Sequence, residues 1–435
     1  MSNTVAKTSR AVPVAASTAG TVIEWYDFAL YGSAAALVFN TQFFGDVSPV
    51  AGTLFAFAVY AVGFVIRPLG GFIFGHMGDK YGRKPVLLTT VLLMGTSTFL
   101  VGCLPNFSVI GYGAPVALVI LRMAQGLGAG AEYGGALVVS GESGKYRKGL
   151  FTGIPAAGVD VSTGLGAGVF ALFVLLPADQ FQTWGWRVPF WLAAVGLVLA
   201  LIIRLRMPET EEFLKLEKAD QNPTSPLKLL FTQHKREFFI AAGVNVGANL
   251  SYVFQTFALS YAINTLGYPP FVSLLGVVLS AAVGSVATIA WAALTDRVGR
   301  RPVIIFGAIA VIIVIFPFFA LIQLGNVVLL CACVTVAHIA DRAVFAAQAP
   351  FYAELFPATV RLSGIATARE ITGAIISGPL PFVATGLVAA TGGPWVFAII
   401  VIVLAAISGI AGWFAKETAP EVLEKRTRLG VVRVG

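Results

Sequence analysis

The sequence predicts an all-α membrane protein: twelve transmembrane helices in two six-helix bundles that repeat one another. Composition, block length and the placement of basic residues predict it. Apolar residues make up 57% of the 435-residue chain and charged residues 11%, against roughly 25% charged in an average soluble domain. So few charges leave a soluble surface uncovered. Lipid is the solvent that suits these residues.

A helix crossing ~30 Å of hydrocarbon needs about 20 mostly apolar residues. Twelve blocks meet this: 14–38, 52–74, 86–104, 114–138, 150–176, 187–205, 238–264, 271–294, 303–322, 327–350, 364–390 and 395–415. Pro and Gly are frequent inside them. Membrane helices tolerate both and use Gly for close packing. Residues 1–13 are polar, and the apolar block after them outruns a signal-peptide core, so it is expected to be kept as the first span.

Basic residues test this count. With both termini inside, the inner segments hold 24 of the 29 Lys and Arg, and the outer loops hold none. The remaining five, Arg67, Arg122, Arg187, Arg342 and Arg369, lie within or at the edge of spans. Such asymmetry sets orientation and predicts cytoplasmic termini. It also accounts for the net charge of +8 without a nucleic-acid partner, whose basic face has no need to alternate with apolar blocks. Cys103, Cys331 and Cys333 sit in apolar stretches without metal spacing and read as packing residues.

The chain repeats itself. After span 2 it reads Gly75-His-Met-Gly-Asp79-Lys80-Tyr-Gly82-Arg83-Lys84, and after span 8 Ala292-Ala-Leu-Thr-Asp296-Arg297-Val-Gly299-Arg300-Arg301. The longest polar stretch lies between the two sets of spans. The expected organisation is a cytoplasmic N-terminus (1–13), a first bundle (14–205), a linker (206–237), a second bundle (238–415) and a cytoplasmic tail (416–435). Duplicated halves are a common transporter plan, with the site at their interface near the midplane.

The duplicated Gly-x-x-x-Asp-(Arg/Lys)-x-Gly-Arg-(Arg/Lys) string resembles that of the major facilitator superfamily. Six further strings resemble its metabolite:proton symporter family: Glu24-Trp-Tyr-Asp27-Phe28, Arg67-Pro-Leu-Gly-Gly71, Arg122-Met-Ala-Gln125-Gly126, Gly130-Ala-Glu132-Tyr-Gly-Gly135, Trp184-Gly-Trp-Arg187-Val-Pro189 and Glu354-Leu-Phe-Pro357. Ala292 and Ala131 depart from the pattern, each standing where the family has Gly. The resemblance implies the superfamily fold, and proton-linked carriage of metabolites such as proline and betaine, shikimate, 2-oxoglutarate or citrate. It also implies that the helix-4 arginine, Arg122, is tied to proton coupling, and links the Arg67 string to carboxylate substrates.

Ions inside a membrane cost at least ~2.5–3.5 kcal/mol each and therefore line cavities or pair. Glu24 and Asp27 are three apart on one face of helix 1. Two carboxylates that close repel, which keeps a proton on one of them. Arg122 stays charged and serves as counter-ion or anion ligand. Glu132 is about 15 Å further along helix 4, where it is a proton-coupling group, a gate or a packing residue. These four are the proton-coupling candidates. Asp341–Arg342 and Arg369–Glu370 are sequence neighbours pointing about 100° apart, so exchange between helices is expected: Asp341 with Arg369, or Arg342 with Glu370. Arg67 either serves the site or snorkels to the inner interface. Asp160 is an acid the resemblance does not account for. His338 is either a proton relay or a packing histidine. Asn245, Asn249 and Tyr252 form one stripe on helix 7 and are expected to face the interior, and Tyr26, Gln255 and Tyr261 are further candidates for the lining. The substrate-binding candidates are Glu24, Tyr31, Arg122, Asn249, Gln255, Asp341 and Arg369. Trp184 and Trp186 read as interface anchors.

The loop strings read as gates: Gly75, Asp79, Gly82 and Arg83 in the first, Asp296, Arg297 and Arg300 in the second. Asp79 suits the N-terminus of a neighbouring helix, where anions gain ~0.3–1 kcal/mol, and Arg83 suits an acid across the inner gate; the repeat at Asp296 favours the gating reading.

The chain lacks Gly-x4-Gly-Lys-(Ser/Thr), so it encodes no ATP engine. Three scattered histidines and no metal constellation argue against an enzyme, a metal or a cofactor. A passive channel is the rival transport class, but it has no use for duplicated gates. The expected function is symport of protons with a small polar metabolite, an organic acid or alternatively a zwitterion such as proline or betaine, by a monomer in the inner-membrane bilayer. About 20 residues follow the last span without sustained heptads, so osmotic gating of the kind found in some family members is not expected.

Overall fold

A computed structural model describes residues 11–81, 83–130, 147–206, 226–357 and 359–428. Among the described residues twelve long helices follow one another: α1 Ala11–Leu37, α2 in two pieces, Pro49–Val65 and Arg67–Tyr81, α3 Arg83–Cys103, α4 Gly113–Ala129, α5 Lys148–Phe173 and α6 Val188–Arg206. The second set is α7, built from Lys235–Ala248 and Ala258–Asn264 around a π turn, Val253–Phe257, then α8 Pro270–Val298, α9 Arg300–Ile322 and α10 Val327–Leu355. It ends with α11, Arg361–Thr372 and Pro379–Thr391 around a second π turn, Gly373–Ser377, and α12 Trp395–Phe414. A short helix, α13 Pro420–Arg428, follows. No strand occurs among the described residues.

Local chemistry sets the boundaries. Ser48 caps α2 by accepting from the Ala51 amide, with Pro49 in the first turn, and Asn326 caps α10 by accepting from the Val328 and Leu329 amides. Both are the short polar side chains that satisfy the free amides of a helix start. Pro155, Pro317 and Pro350 lie inside helices without ending them.

Nine helical stretches among the described residues are long and apolar enough to cross a membrane. The other three are α1, which carries Glu24 and Asp27, α4, described over 17 residues, and α7, interrupted by its π turn. Large apolar side chains cover the outside. Phe306, Ile309, Ile313 and Phe316 on α9 are all exposed, a stripe that water would penalise and acyl chains do not.

The bundles meet where α1 packs on α7, α2 on α11, and α5 on both α8 and α10. Trp186 corrects the sequence reading. It is fully buried among Phe39, Phe43 and Phe190, and Arg187 lies over its ring while donating to the Gly102 and Leu104 carbonyls. Trp184 is 42% exposed, as an interface residue would be. Cys103 is exposed rather than packed inside.

Candidate functional site

A cavity of about 50 Å³ lies between the bundles. The first half lines it with Trp25, Phe28 and Tyr60, the second with Asn245, Asn249, Tyr252, Gln255, Gln348, Arg342 and Arg369. The expected stripe of Asn245, Asn249 and Tyr252 thus faces inward, as does Gln255. Both π turns adjoin this region: Gln255 lies within the α7 turn, and the α11 turn begins four residues after Arg369. Such bulges frequently mark working sites, because they re-aim side chains without ending a helix.

Behind the first-half wall lies a chain of neutral links between two ions. Arg122 Nη1 donates to Gln125 Oε1 at 3.1 Å, and Gln125 Nε2 donates to Thr98 Oγ1 at 2.9 Å. The Thr98 hydroxyl donates to Asp27 Oδ1. That hydroxyl has one hydrogen and also lies 2.9 Å from the Met94 carbonyl. A charged Asp27 takes the hydrogen. A protonated Asp27 can donate to Thr98 and release its hydrogen to Met94. Asp27 Oδ2 and Arg122 Nε and Nη2 are buried without hydrogen bonds among the described residues. Arg122 is held by rings, with Tyr31, Phe28 and Tyr60 at 4.4, 4.5 and 5.0 Å from its guanidinium carbon. Gly63 makes this possible: a Cβ there would stand 2.3 Å from Arg122 Nε.

Where α5 of the first half meets α10 of the second, the ions touch directly. Asp160 on α5 receives three donors: Arg342 Nη1 at 3.2 Å, Thr288 Oγ1 at 2.9 Å, and His338, whose Nε2 is 2.9 Å away. Arg342 also grips Asp341 Oδ2, from Nη2 at 2.5 Å and Nε at 3.1 Å. The expected exchange between helices 10 and 11 is corrected here. The long arginine side chain curls back onto its own neighbour despite the 100° offset, and its second partner is Asp160. Glu370 instead faces Arg67 at 3.8 Å. Arg67 is 4% exposed, with Phe28 at 4.3 Å, so it is an inward-facing group and does not snorkel.

Tyr31, Arg122 and Asp341 stand one layer behind the cavity lining, and Asn249, Gln255 and Arg369 stand in it. Tyr26 donates to the Pro189 carbonyl, and Tyr261 packs on Phe257 and Phe319, both away from the lining. Glu132 and Gly82 lie outside the described residues, as do the side chains of Glu24, Gly75, Asp79 and Arg83.

The second loop string bridges the halves. Asp296 accepts from the Gly149 and Leu150 amides at 2.8 and 3.0 Å, the first turn of α5. This is an acid on a helix N-terminus, the contact expected of Asp79 in the first string, whose side chain lies outside the described residues. Arg300 holds Asp296 at 2.7 Å and Glu354 at 3.1 Å, so its acids come from its own half. Arg297 is exposed. Glu417 accepts from the Arg300 and Arg301 amides, and Glu421 from the Arg147 amide at 2.6 Å. At the other end Asn264 on α7 donates to the Ala36 carbonyl on α1.

The sequence profile of the Major Facilitator Superfamily matches residues 18–368. The chain belongs to this superfamily. Within it, the chain is 38% identical over 388 residues to the shikimate transporter of Escherichia coli, covering 87% of this chain and 88% of the relative. It is 33% identical over 427 residues to the glycine betaine/proline/ectoine/pipecolic acid transporter OusA of Dickeya dadantii, covering 95% and 85%. The narrower resemblance read from the motifs agrees with these relatives. The superfamily fold is seen in the E. coli xylose transporter XylE in a partially occluded inward-open form, at TM-score 0.70 and 18% identity over 94% of this chain and 98% of that one. XylE bound to 6-bromo-6-deoxy-D-glucose gives 0.71 at 20% identity over 97% and 98%. Membership makes this a multi-pass membrane protein of a transporter superfamily.

Proposed function

We propose that this chain is a proton-coupled symporter that takes up a small organic acid across the inner membrane by alternating access. The carrying observation is a small cavity shared by both halves, with Arg342 and Arg369 in its wall and Asp27 held behind it. Substrate enters from outside and lays its carboxylate toward the arginines, while the amides of Asn249, Gln255 and Gln348 suit hydroxyl groups. Asp27 takes a proton, with Glu24 one turn earlier as the other candidate. Arg122 then loses an anionic counterpart, and the halves rock, as alternating access requires. The contacts at both ends, Asp296 on α5 and Asn264 on α1, suit a carrier rather than a pore. The likeness to a shikimate transporter supports an acid cargo.

The second reading is a zwitterion of the proline or betaine kind, supported by relatives that carry them. Trp25, Phe28, Tyr60, Tyr252 and Phe345 line the cavity, and such rings can receive a quaternary cation. We further read both termini as cytoplasmic, the halves as residues 14–205 and 238–415, and the working unit as a monomer in lipid that needs no cofactor and catalyses no covalent step.

The test is uptake into proteoliposomes of labelled shikimate, proline and glycine betaine, with and without an acid-outside gradient. Shikimate should accumulate only with the gradient, and Asp27→Asn should abolish accumulation while leaving exchange of substrate across the bilayer. Uptake indifferent to the gradient ends the symport reading. Accumulation of betaine but not shikimate ends the acid reading.

A further inference from the structure

Gln255 lies in the α7 π turn and lines the cavity. Its carboxamide meets a side chain from α10. The position of Gln255 Nε2 is 3.1 Å from His338 Nε2, and the same ring nitrogen is 2.9 Å from Asp160 Oδ1 on α5. Asp160, His338 and Gln255 are 1%, 0% and 8% exposed, so their polar atoms have to satisfy one another.

The hydrogen bonds of Asp160 decide which end of the carboxamide faces the ring. Both of its oxygens accept, Oδ1 from Arg342 Nη1 and Oδ2 from Thr288 Oγ1. An oxygen that already accepts from a guanidinium offers lone pairs, so the hydrogen between it and the imidazole belongs to Nε2. Nothing draws that hydrogen to Nδ1, which has no hydrogen-bond partner among the described residues. A ring nitrogen that carries a hydrogen has no lone pair left to accept with. A carboxamide NH2 is therefore a poor neighbour for it, whereas a carbonyl oxygen shares its hydrogen. The two ends of a carboxamide have nearly the same shape, and the hydrogen-bond network assigns them. With Oε1 turned to His338, Gln255 holds its NH2 toward the cavity.

We propose that His338, braced by Asp160, is a positioning residue for cargo recognition: it fixes the Gln255 carboxamide with its N–H groups facing the cavity, where they bind an acceptor oxygen of the cargo. The bracing is steric as well as polar. His338 and Arg342 are four residues apart on one face of α10, and both reach Asp160 Oδ1. Gly284 on α8 leaves the space the ring fills, since a Cβ there would stand 2.5 Å from His338 Cδ2. Arg342, Arg369 and Asn249 continue the donor character of this wall, and Asn249 Nδ2 has no hydrogen-bond partner among the described residues. A carboxylate suits such a wall best, because it accepts and never donates. The inference deepens the reading of this cavity as the cargo site and rests on that reading.

Two measurements test it. The chain has three histidines, His76, His234 and His338. A His76→Gln/His234→Gln variant of the full chain, labelled with 15N-histidine in lipid nanodiscs, therefore reports one imidazole and needs no cargo. Nε2 should carry a hydrogen, and a bare Nε2 overturns the proposal. The second measurement is a double-mutant cycle on the KM of uptake, with whichever of shikimate, proline and glycine betaine the chain takes up, since all three carry a carboxylate. Gln255→Leu should raise KM about tenfold, as the loss of one hydrogen bond to a charged group does. His338→Phe keeps a ring beside Gly284 and removes the Nε2 hydrogen. It should raise KM by a similar factor alone, and by nothing further in a chain that already carries Gln255→Leu. An unchanged KM in His338→Phe overturns the proposal, as do effects that multiply in the double variant. If His338→Phe fails to fold, the nitrogen measurement decides alone. A bare Nε2 in a chain that accumulates shikimate with the gradient sinks this inference and spares the symport reading. Uptake indifferent to the gradient, with a hydrogen on Nε2 and a non-additive cycle, sinks only the symport reading.

Discussion

Asp27 reaches Arg122 only through Thr98 and Gln125, whereas Asp160, at the contact of α5 with α10, meets His338 and Arg342 directly. In the first half neutral links leave the acid one oxygen, and the arginine two nitrogens, without partners. At the contact between the halves the Arg342 guanidinium meets Asp160 from the first and Asp341 from the second. The difference is one of readiness. A carboxylate held by a hydroxyl that can donate or accept changes charge without breaking an ion pair. A carboxylate held by a guanidinium, an imidazole and a hydroxyl from the other half ties the halves together.

The largest effect that can break this comparison is expected at Arg342. Arg342→Gln removes the shared partner of two buried acids, and losing one member of a buried pair costs about 3–5 kcal/mol. Thermal unfolding in detergent should show a drop of several degrees, and an unchanged midpoint would mean the cluster does not tie the halves. A smaller effect is expected at the gate. Asp296→Asn weakens charged hydrogen bonds to the start of α5 worth about 1.5–3 kcal/mol each. Spin-label distances between the first turn of α5 and the last turn of α8 should lengthen and broaden, and an unaltered distribution would mean that this contact does not hold the halves together there. The smallest stability effect is expected at Thr98. Thr98→Ala should cost about 1 kcal/mol yet strongly weaken gradient-driven uptake. Intact coupling in that variant would show that the hydroxyl does not relay the state of Asp27.

Much of this architecture was legible in the sequence because lipid imposes a length. Span 238–264 became α7 ending at Asn264, and span 271–294 became α8 beginning at Pro270. The helix 7 stripe was legible because an amide facing acyl chains is costly. The partners of Asp160 were not. They lie 178 and 182 residues away in the chain, and no local period encodes such a meeting. Asp160 itself carried a signal, an acid in mid-span that no motif accounted for. Asp341–Arg342 misled for a different reason. The 100° rule governs where side chains start, and a guanidinium on a three-carbon stem reaches past it. Trp186 misled because a tryptophan near a span end fits either an interface or a core, and the choice rests on Phe39, Phe43 and Phe190 arriving from other helices.

Arg147, which starts α5, sits in the left-handed region at φ 58°, a strained setting for a residue with a side chain. Its amide is held by Glu421 of α13, two residues from where Asp296 holds Gly149. Glu417 and Glu421 thus tie the segment around α13 to the starts of α9 and α5, and cutting the chain before Glu417 or fusing a bulky reporter close behind α13 is expected to change turnover while leaving the substrate cradle itself untouched.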